Sequence, residues 1–262
     1  MTAMIAAVAL AGAVLVTGRW RPRKLAGVVA IGAGLMAGRF VAVLAGVVFL
    51  LTGCASAPAD AATPRRYAAV GDSITAGAKL ANPDVEKYAA VAGISSIGRP
   101  GSCLVTAGCY GWATLVDDLT VEIDSLNTLG PRPVRVLIVE IGINDINVHR
   151  GTTFEQITGA LAQLRTIAAT KKVRIVYTTI TPWAASRYGT GLFSIHEDQS
   201  ELRDQVNAWI LANGPSINFS RVLSGADGKM LPAYDSGDGL HPNAAGQAAL
   251  GAAVKRYMAR HP

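Results

Sequence analysis

Val134-Arg135-Val136-Leu137-Ile138-Val139-Glu140-Ile141 is the stretch on which the fold turns. A strand with one face in water alternates polar and apolar residues. This run is nearly continuous in its apolar, β-branched character, so it predicts a strand over 134–141 buried on both faces, as in the middle of a parallel sheet. Working outward, strands are expected at 67–70, weakly at 93–97, at 173–180 and, as a short piece, at 219–223. Helical patterns fall between and after them, at 112–126, 153–169, 197–212 and 243–260. Short apolar runs alternating with longer helical ones predict an α/β fold, a parallel sheet with helices on both faces. No internal repeat and no further boundary interrupts residues 66–262, a length that suits one domain with a full core.

Composition agrees. Half of the 262 residues are hydrophobic and 16% charged, which excludes a disordered chain; 28 glycines argue against a coiled coil, and three cysteines cannot replace a core. The net charge of +6 is unevenly placed. Residues 1–53 hold Arg19, Arg21, Arg23, Lys24 and Arg39 and no Asp or Glu, and without them basic and acidic residues nearly balance. The bulk of the chain therefore gives no compositional case for nucleic-acid binding.

Residues 3–18 are apolar, the basic cluster follows, and a second apolar stretch runs from Leu25 to Gly53, broken only by Arg39. It ends in Leu51-Thr52-Gly53-Cys54, which resembles the bacterial lipoprotein signal, whose cysteine takes a lipid and becomes the new N-terminus. Read from Met36, Arg39 supplies the positive region and Phe40 to Leu51 an apolar region of signal-peptide length, so a start at Met36 is expected. The alternative is a pair of plain membrane helices. The division is then a signal or membrane segment over 1–53, a flexible Ala/Ser/Pro/Asp/Thr tether over 54–65, and the folded domain over 66–262.

Four short segments carry chemistry. Gly71-Asp72-Ser73-Ile74-Thr75-Ala76-Gly77 follows the first strand, where a serine can present its hydroxyl outward; an ordinary helix cap by Asp72 or Ser73 is the plainer reading. Gly98-Arg99-Pro100-Gly101-Ser102 reads alone as a turn, and Gly142-Ile143-Asn144-Asp145 as the polar close of a buried strand. Asp238-Gly239-Leu240-His241-Pro242-Asn243 sets a carboxylate three residues before a histidine and opens the last helix.

In this order the four segments resemble the SGNH or GDSL hydrolase family of lipases and esterases, over about 175 residues from Tyr67 to Asn243. The resemblance implies a three-layer α/β/α sandwich with a parallel, flavodoxin-like sheet, and a serine esterase or lipase acting on small-molecule or lipid esters. It implies Ser73 as nucleophile, His241 as base, Asp238 as the residue orienting it, and an oxyanion hole from the Ser73 and Gly101 N–H groups with the Asn144 side chain. In the second segment the family often has an asparagine where Ser96 stands. Asp235, six residues before His241, is the rival to Asp238; His149, His196 and His261 have no carboxylate at the family spacing.

With Cys54 assigned to lipid, Cys103 and Cys109 remain, and an exported domain meets oxidising conditions, so a disulfide between them is expected. No cofactor and no metal site is expected, because neither a second cysteine pair nor histidines at ligand spacing occur. The expected protein is a monomer on the outer face of the cell membrane, or secreted. Two other readings keep the fold: acyl transfer to a sugar or lipid alcohol, and a lipid-tethered binding module. The loop over 181–193, with Trp183, Tyr188 and Leu192, is a candidate lining of the substrate pocket.

Overall fold

The computed structural model describes residues 66–106, 109–147, 151–184 and 197–262. β1 (Tyr67–Gly71) is buried at all five positions, and three short helices follow it: α1 (Ser73–Ala76), α2 (Pro83–Glu86) and α3 (Tyr88–Ala92). Then come β2 (Ser95–Gly98), α4 (Leu115–Thr128), β3 (Val136–Glu140), α5 (Ile143–Asn147), α6 (Phe154–Thr170) and β4 (Arg174–Thr178). The chain closes with α7 (Glu197–Ala212), β5 (Ser216–Ile217), α8 (Phe219–Leu223) and α9 (Ala244–Arg260).

All five strands are parallel, in the order β2-β1-β3-β4-β5. This is a flavodoxin-like doubly wound sheet, as expected. β3 is central and buried at every position, which is why its sequence lacks a polar face. Helices α4, α6 and α7 pack on one another, and α3 packs on α9. Right-handed crossovers place these two groups on opposite faces of the sheet. The long helices start on side-chain caps: Thr114 accepts from the Asp117 N–H, Asn243 from the Gly246 N–H, and Thr153 forms a capping box with Gln156.

Two expectations need correction. The segment 219–223 is the helix α8, and the edge strand is Ser216–Ile217. Phe219 and Leu223 are both buried, four residues apart, and the Asn218 side chain caps the turn by accepting from the Arg221 N–H. A short apolar run does not by itself distinguish this spacing from a strand. The helix expected from Trp112 begins at Leu115, because Thr114 caps it there.

Gly98 ends β2 where α1 crosses it. A methyl group at Gly98 would lie 2.2 Å from the Ala76 nitrogen and 2.5 Å from its Cα, and both are backbone atoms of the turn that carries Ser73. Gly98→Ala should therefore destabilise the domain by about 3 kcal/mol in chemical denaturation. A loss of only a few tenths would mean that α1 shifts freely on the sheet.

Candidate active site

Gly71 is in register with Glu140 on one side and with Gly98 on the other, so β1, β2 and β3 end level with one another. Their connections diverge at this point, leaving the crevice where open α/β sheets bind ligands. Ser73 is the first residue of α1, and Asp72 caps that helix by accepting from the Ile74 N–H at 3.0 Å. Ser73 is 6% exposed and Asn144 7%.

The loop before α9 brings in the remaining groups. Ser73 Oγ lies 2.9 Å from His241 Nε2, and His241 Nδ1 lies 2.7 Å from Asp238 Oδ2. The other Asp238 oxygen accepts from the backbone N–H groups of Leu240 and His241, each at 2.9 Å. Burial opposes the charge on Asp238, but the hydrogen bonds from His241 and Leu240 outweigh it and hold the carboxyl below its usual range. Asp235 is spent otherwise: it accepts from the Gly237 and Gly239 N–H groups and shapes the loop.

On the other side of Ser73, the Arg99 N–H donates to the Gly71 carbonyl at 2.9 Å, and the Ser102 N–H donates to the Arg99 carbonyl. The Arg99 guanidinium pairs with Asp118 and Glu122 and lies 5.5 Å from the Trp112 ring, whose N–H donates to the Pro100 carbonyl. Gly101 within this turn has φ +81°, a left-handed conformation that favours glycine. The Asn144 side chain donates to the Ser102 carbonyl at 2.9 Å. Asp145 accepts from the Leu104 and Val105 N–H groups at 2.8 Å, tying this loop to the end of β3. Cys103 and Cys109 are joined by a disulfide, with Cα atoms 5.8 Å apart.

Ser73, Gly101, Asn144, Asp238 and His241 thus all stand on segments that converge on the crevice, and Ser73, His241 and Asp238 form one hydrogen-bonded chain. Ser96 lies in β2 with its hydroxyl buried and without a partner. Trp183 is buried, with the Arg203 guanidinium 4.6 Å from its ring. His261 stacks on Tyr257, with ring centroids 4.2 Å apart. Cys54, His149, Tyr188, Leu192 and His196 lie outside the described residues, as do the segments 1–53 and 54–65. Among the described residues, no helix is long and apolar enough to cross a membrane.

Reading the motifs alone misses a carboxyl pair beneath Ser73. Asp72 and Glu140 are fully buried, close enough for the charge of each to oppose ionisation of the other, and Asp72 Oδ2 and Glu140 Oε1 accept no hydrogen bond among the described residues. Thr75 donates to Glu140 at 3.2 Å and lies 2.9 Å from the Tyr88 hydroxyl. Burial pushes Asp72 up to about 7 and Glu140 well above the usual range. The available signal was a glutamate ending an otherwise apolar strand.

The family and the fold are independently recognisable. The model for the GDSL-like lipase/acylhydrolase family matches residues 69–249, and the chain belongs to that family of ester hydrolases. None of the curated proteins compared matches it. Among solved structures it is similar to a GDSL-like lipase from Bacteroides thetaiotaomicron, at 18% identity and TM-score 0.57, covering 76% of this chain and 90% of that one. It is also similar to Est24, a carbohydrate acetylesterase from Sinorhizobium meliloti, at 17% identity and TM-score 0.59, covering 75% of this chain and 99% of that one. At these identities the likeness establishes the fold.

The buried pair makes stability depend on pH. The unfolded chain releases its carboxyl protons near pH 4, whereas in the native pair Asp72 keeps its proton to about 7 and Glu140 is likewise held well above its usual range. Stability is therefore fullest below that range and falls as pH rises through about 7. Burial outweighs the Arg99 charge at Glu122 and lifts it to about 7 as well, so it contributes in the same sense. Glu140→Gln keeps a donor toward Asp72 without titrating, and thermal melts between pH 5 and 8 should show a flatter slope than the parent. An unchanged slope would show that the pair holds no proton.

Proposed function

We propose that the chain hydrolyses carboxylic esters with Ser73 as nucleophile, His241 as general base and Asp238 as the group that orients the imidazole. The observation that carries this reading is the hydrogen-bonded chain from Asp238 through His241 to Ser73, set at the crevice of the sheet. Asp238 accepts from Nδ1–H, which fixes the tautomer that leaves Nε2 as a base toward the hydroxyl. Ser73 Oγ attacks the ester carbonyl while its proton passes to Nε2. The tetrahedral intermediate expels the alcohol, which takes that proton, and water then releases the acid by the same route in reverse.

The negative oxygen of the intermediate is held by the N–H groups of Ser73 and Gly101 and by the Asn144 amide. An amide suits this place because it donates without titrating. The bond from Asn144 to the Ser102 carbonyl orients the side chain, and the Asp145 bonds to residues 104 and 105 hold the loop that carries Gly101.

The domain is further proposed to work outside the cytoplasmic membrane, tethered through residues before 66. The signal-like Leu51-Thr52-Gly53-Cys54 and the disulfide beside the site both support an oxidising compartment. Mass spectrometry of the mature N-terminus tests this. A diacylglyceryl Cys54 as first residue is expected, and an unlipidated Cys54 still carrying residues 40–53 would mean a plain membrane anchor.

A serine-directed phosphonate should label Ser73, and Ser73→Ala should lower kcat on a chromogenic ester by roughly 10⁴-fold or more. Full activity in Ser73→Ala would refute the assignment. Asn144→Ala removes one oxyanion donor and should cost roughly 10²-fold in kcat with KM little changed; an equal loss confined to KM would place Asn144 in substrate binding instead.

A further inference from the structure

The two ends of the parallel sheet differ in charge. At the end where the strands finish, around the crevice, Asp84, Asp117, Asp118, Asp145, Asp235 and Asp238 stand among Lys79, Arg99 and Lys229. At the end where the strands begin, the loops feeding β3, β4 and β5 and the last turns of α9 contain no Asp or Glu over 128–135, 169–174, 212–216 or 255–262. The same segments carry Arg132, Arg135, Lys172, Arg174, Lys255, Arg256 and Arg260, all exposed. Lys171 is the member that is neutralised, by Asp124 at 2.8 Å.

These cations are brought together by topology. Arg135 and Arg174 are neighbours across the sheet, the Arg174 N–H donating to the Arg135 carbonyl. α9 runs back along the sheet so that the Tyr67 hydroxyl, at the start of β1, donates to the His261 carbonyl just past its end. Beside this end, a cavity of about 480 Å³ between β5 and α9 is lined by Arg221, Arg256 and Arg260, with no carboxylate in its wall. The chain also enters the domain here, at Arg66, after the apolar stretches 3–18 and 25–53.

We propose that this basic end of the domain docks on an anionic lipid bilayer, lipid phosphates meeting the exposed arginines and lysines while the crevice at the other end of the sheet points away from the membrane. A bilayer is the partner that fits because the segment entering at Arg66 is the chain's apolar, membrane-seeking part, so the basic face is held within reach of lipid headgroups. Each Lys or Arg near an anionic surface contributes about fivefold in partitioning, and the attraction fades within roughly 8–10 Å at ordinary salt. A flat multi-arginine face thus binds only as a docked end. The strands place Ser73 roughly 20 Å from that face. Resting on the hydrolase reading, this orientation directs the site to esters outside the bilayer rather than to the lipids under the docked face.

Lysine footprinting by reductive methylation and mass spectrometry tests the docking without using hydrolysis, so its outcome is separable from that of the esterase assay. The full chain would be assembled into nanodiscs of phosphatidylcholine, with or without phosphatidylglycerol. Lys172 should be protected severalfold in the anionic discs relative to the neutral ones, and released at high salt. Lys79 and Lys229, exposed at the crevice end, should react equally in both. The double variant Arg174→Gln/Arg260→Gln, at two exposed positions, should lose most of the Lys172 protection. Equal Lys172 reactivity in both discs would overturn the proposal, as would protection of Lys79 and Lys229 instead. So would protection of Lys172 by soluble DNA but not by anionic discs, which would make the face a nucleic-acid surface.

Discussion

Everything at the crevice depends on β1 lying between β2 and β3 with all three ending at one level. Gly71, Gly98 and Glu140 share a register row, so the turns that follow start side by side although they are far apart in the chain. Because β1 and β3 send their connections to opposite faces, a crevice opens between them. The Ser73 turn is then clamped on both sides. Gly98 lets α1 approach β2 backbone to backbone, and the Arg99 N–H reaches across to the Gly71 carbonyl. His241 arrives from a fourth segment, whose own shape is set by Asp235 and by the bridge between Asp235 and Pro242.

Polar groups under the site are arranged unequally. Asp238 bonds to backbone N–H groups and to His241, which hold its carboxyl below the usual range and suit the orienting role proposed for it, while Asp145 accepts from the Leu104 and Val105 N–H groups and holds that loop. Asp72 and Glu140 lie deeper, where burial pushes both carboxyls up, so the interior beneath Ser73 holds less charge than its carboxyl count implies. The pair sets the cap of α1 beside the end of β3, where the serine-bearing and asparagine-bearing turns begin. Its cost is a native state that loses stability as the solution becomes less acidic.

The disulfide and the ion pairs of Arg99 act on the remaining side. Cys103 follows the glycine turn, and Arg99 precedes it, fixed between Asp118, Glu122 and Trp112. The Gly101 turn is thus held at both ends by covalent or charged contacts rather than by burial alone. A turn fixed in this way suits the oxyanion role proposed for it.

The sequence by itself determined the parallel α/β architecture, since a strand buried on both faces must be apolar throughout, as Val136 to Val139 are. It also singled out the four candidate segments, because Ser73, Gly101, Asn144 and His241 each sit in a local turn whose pattern is contiguous. Within the last segment, the three-residue spacing of Asp238 to His241 is itself local, and singled out Asp238 over Asp235. Tertiary structure alone decided that Phe219–Leu223 is a helix, because helix and strand burial differ only in which neighbours the side chains meet. It alone paired Asp72 with Glu140, which are 68 positions apart and read separately as a cap and a strand end. The basic end of the domain was likewise invisible in a domain whose charges nearly balance. Its arginines and lysines belong to separate loops and a helix end, and only the common direction of parallel strands gathers them onto one face.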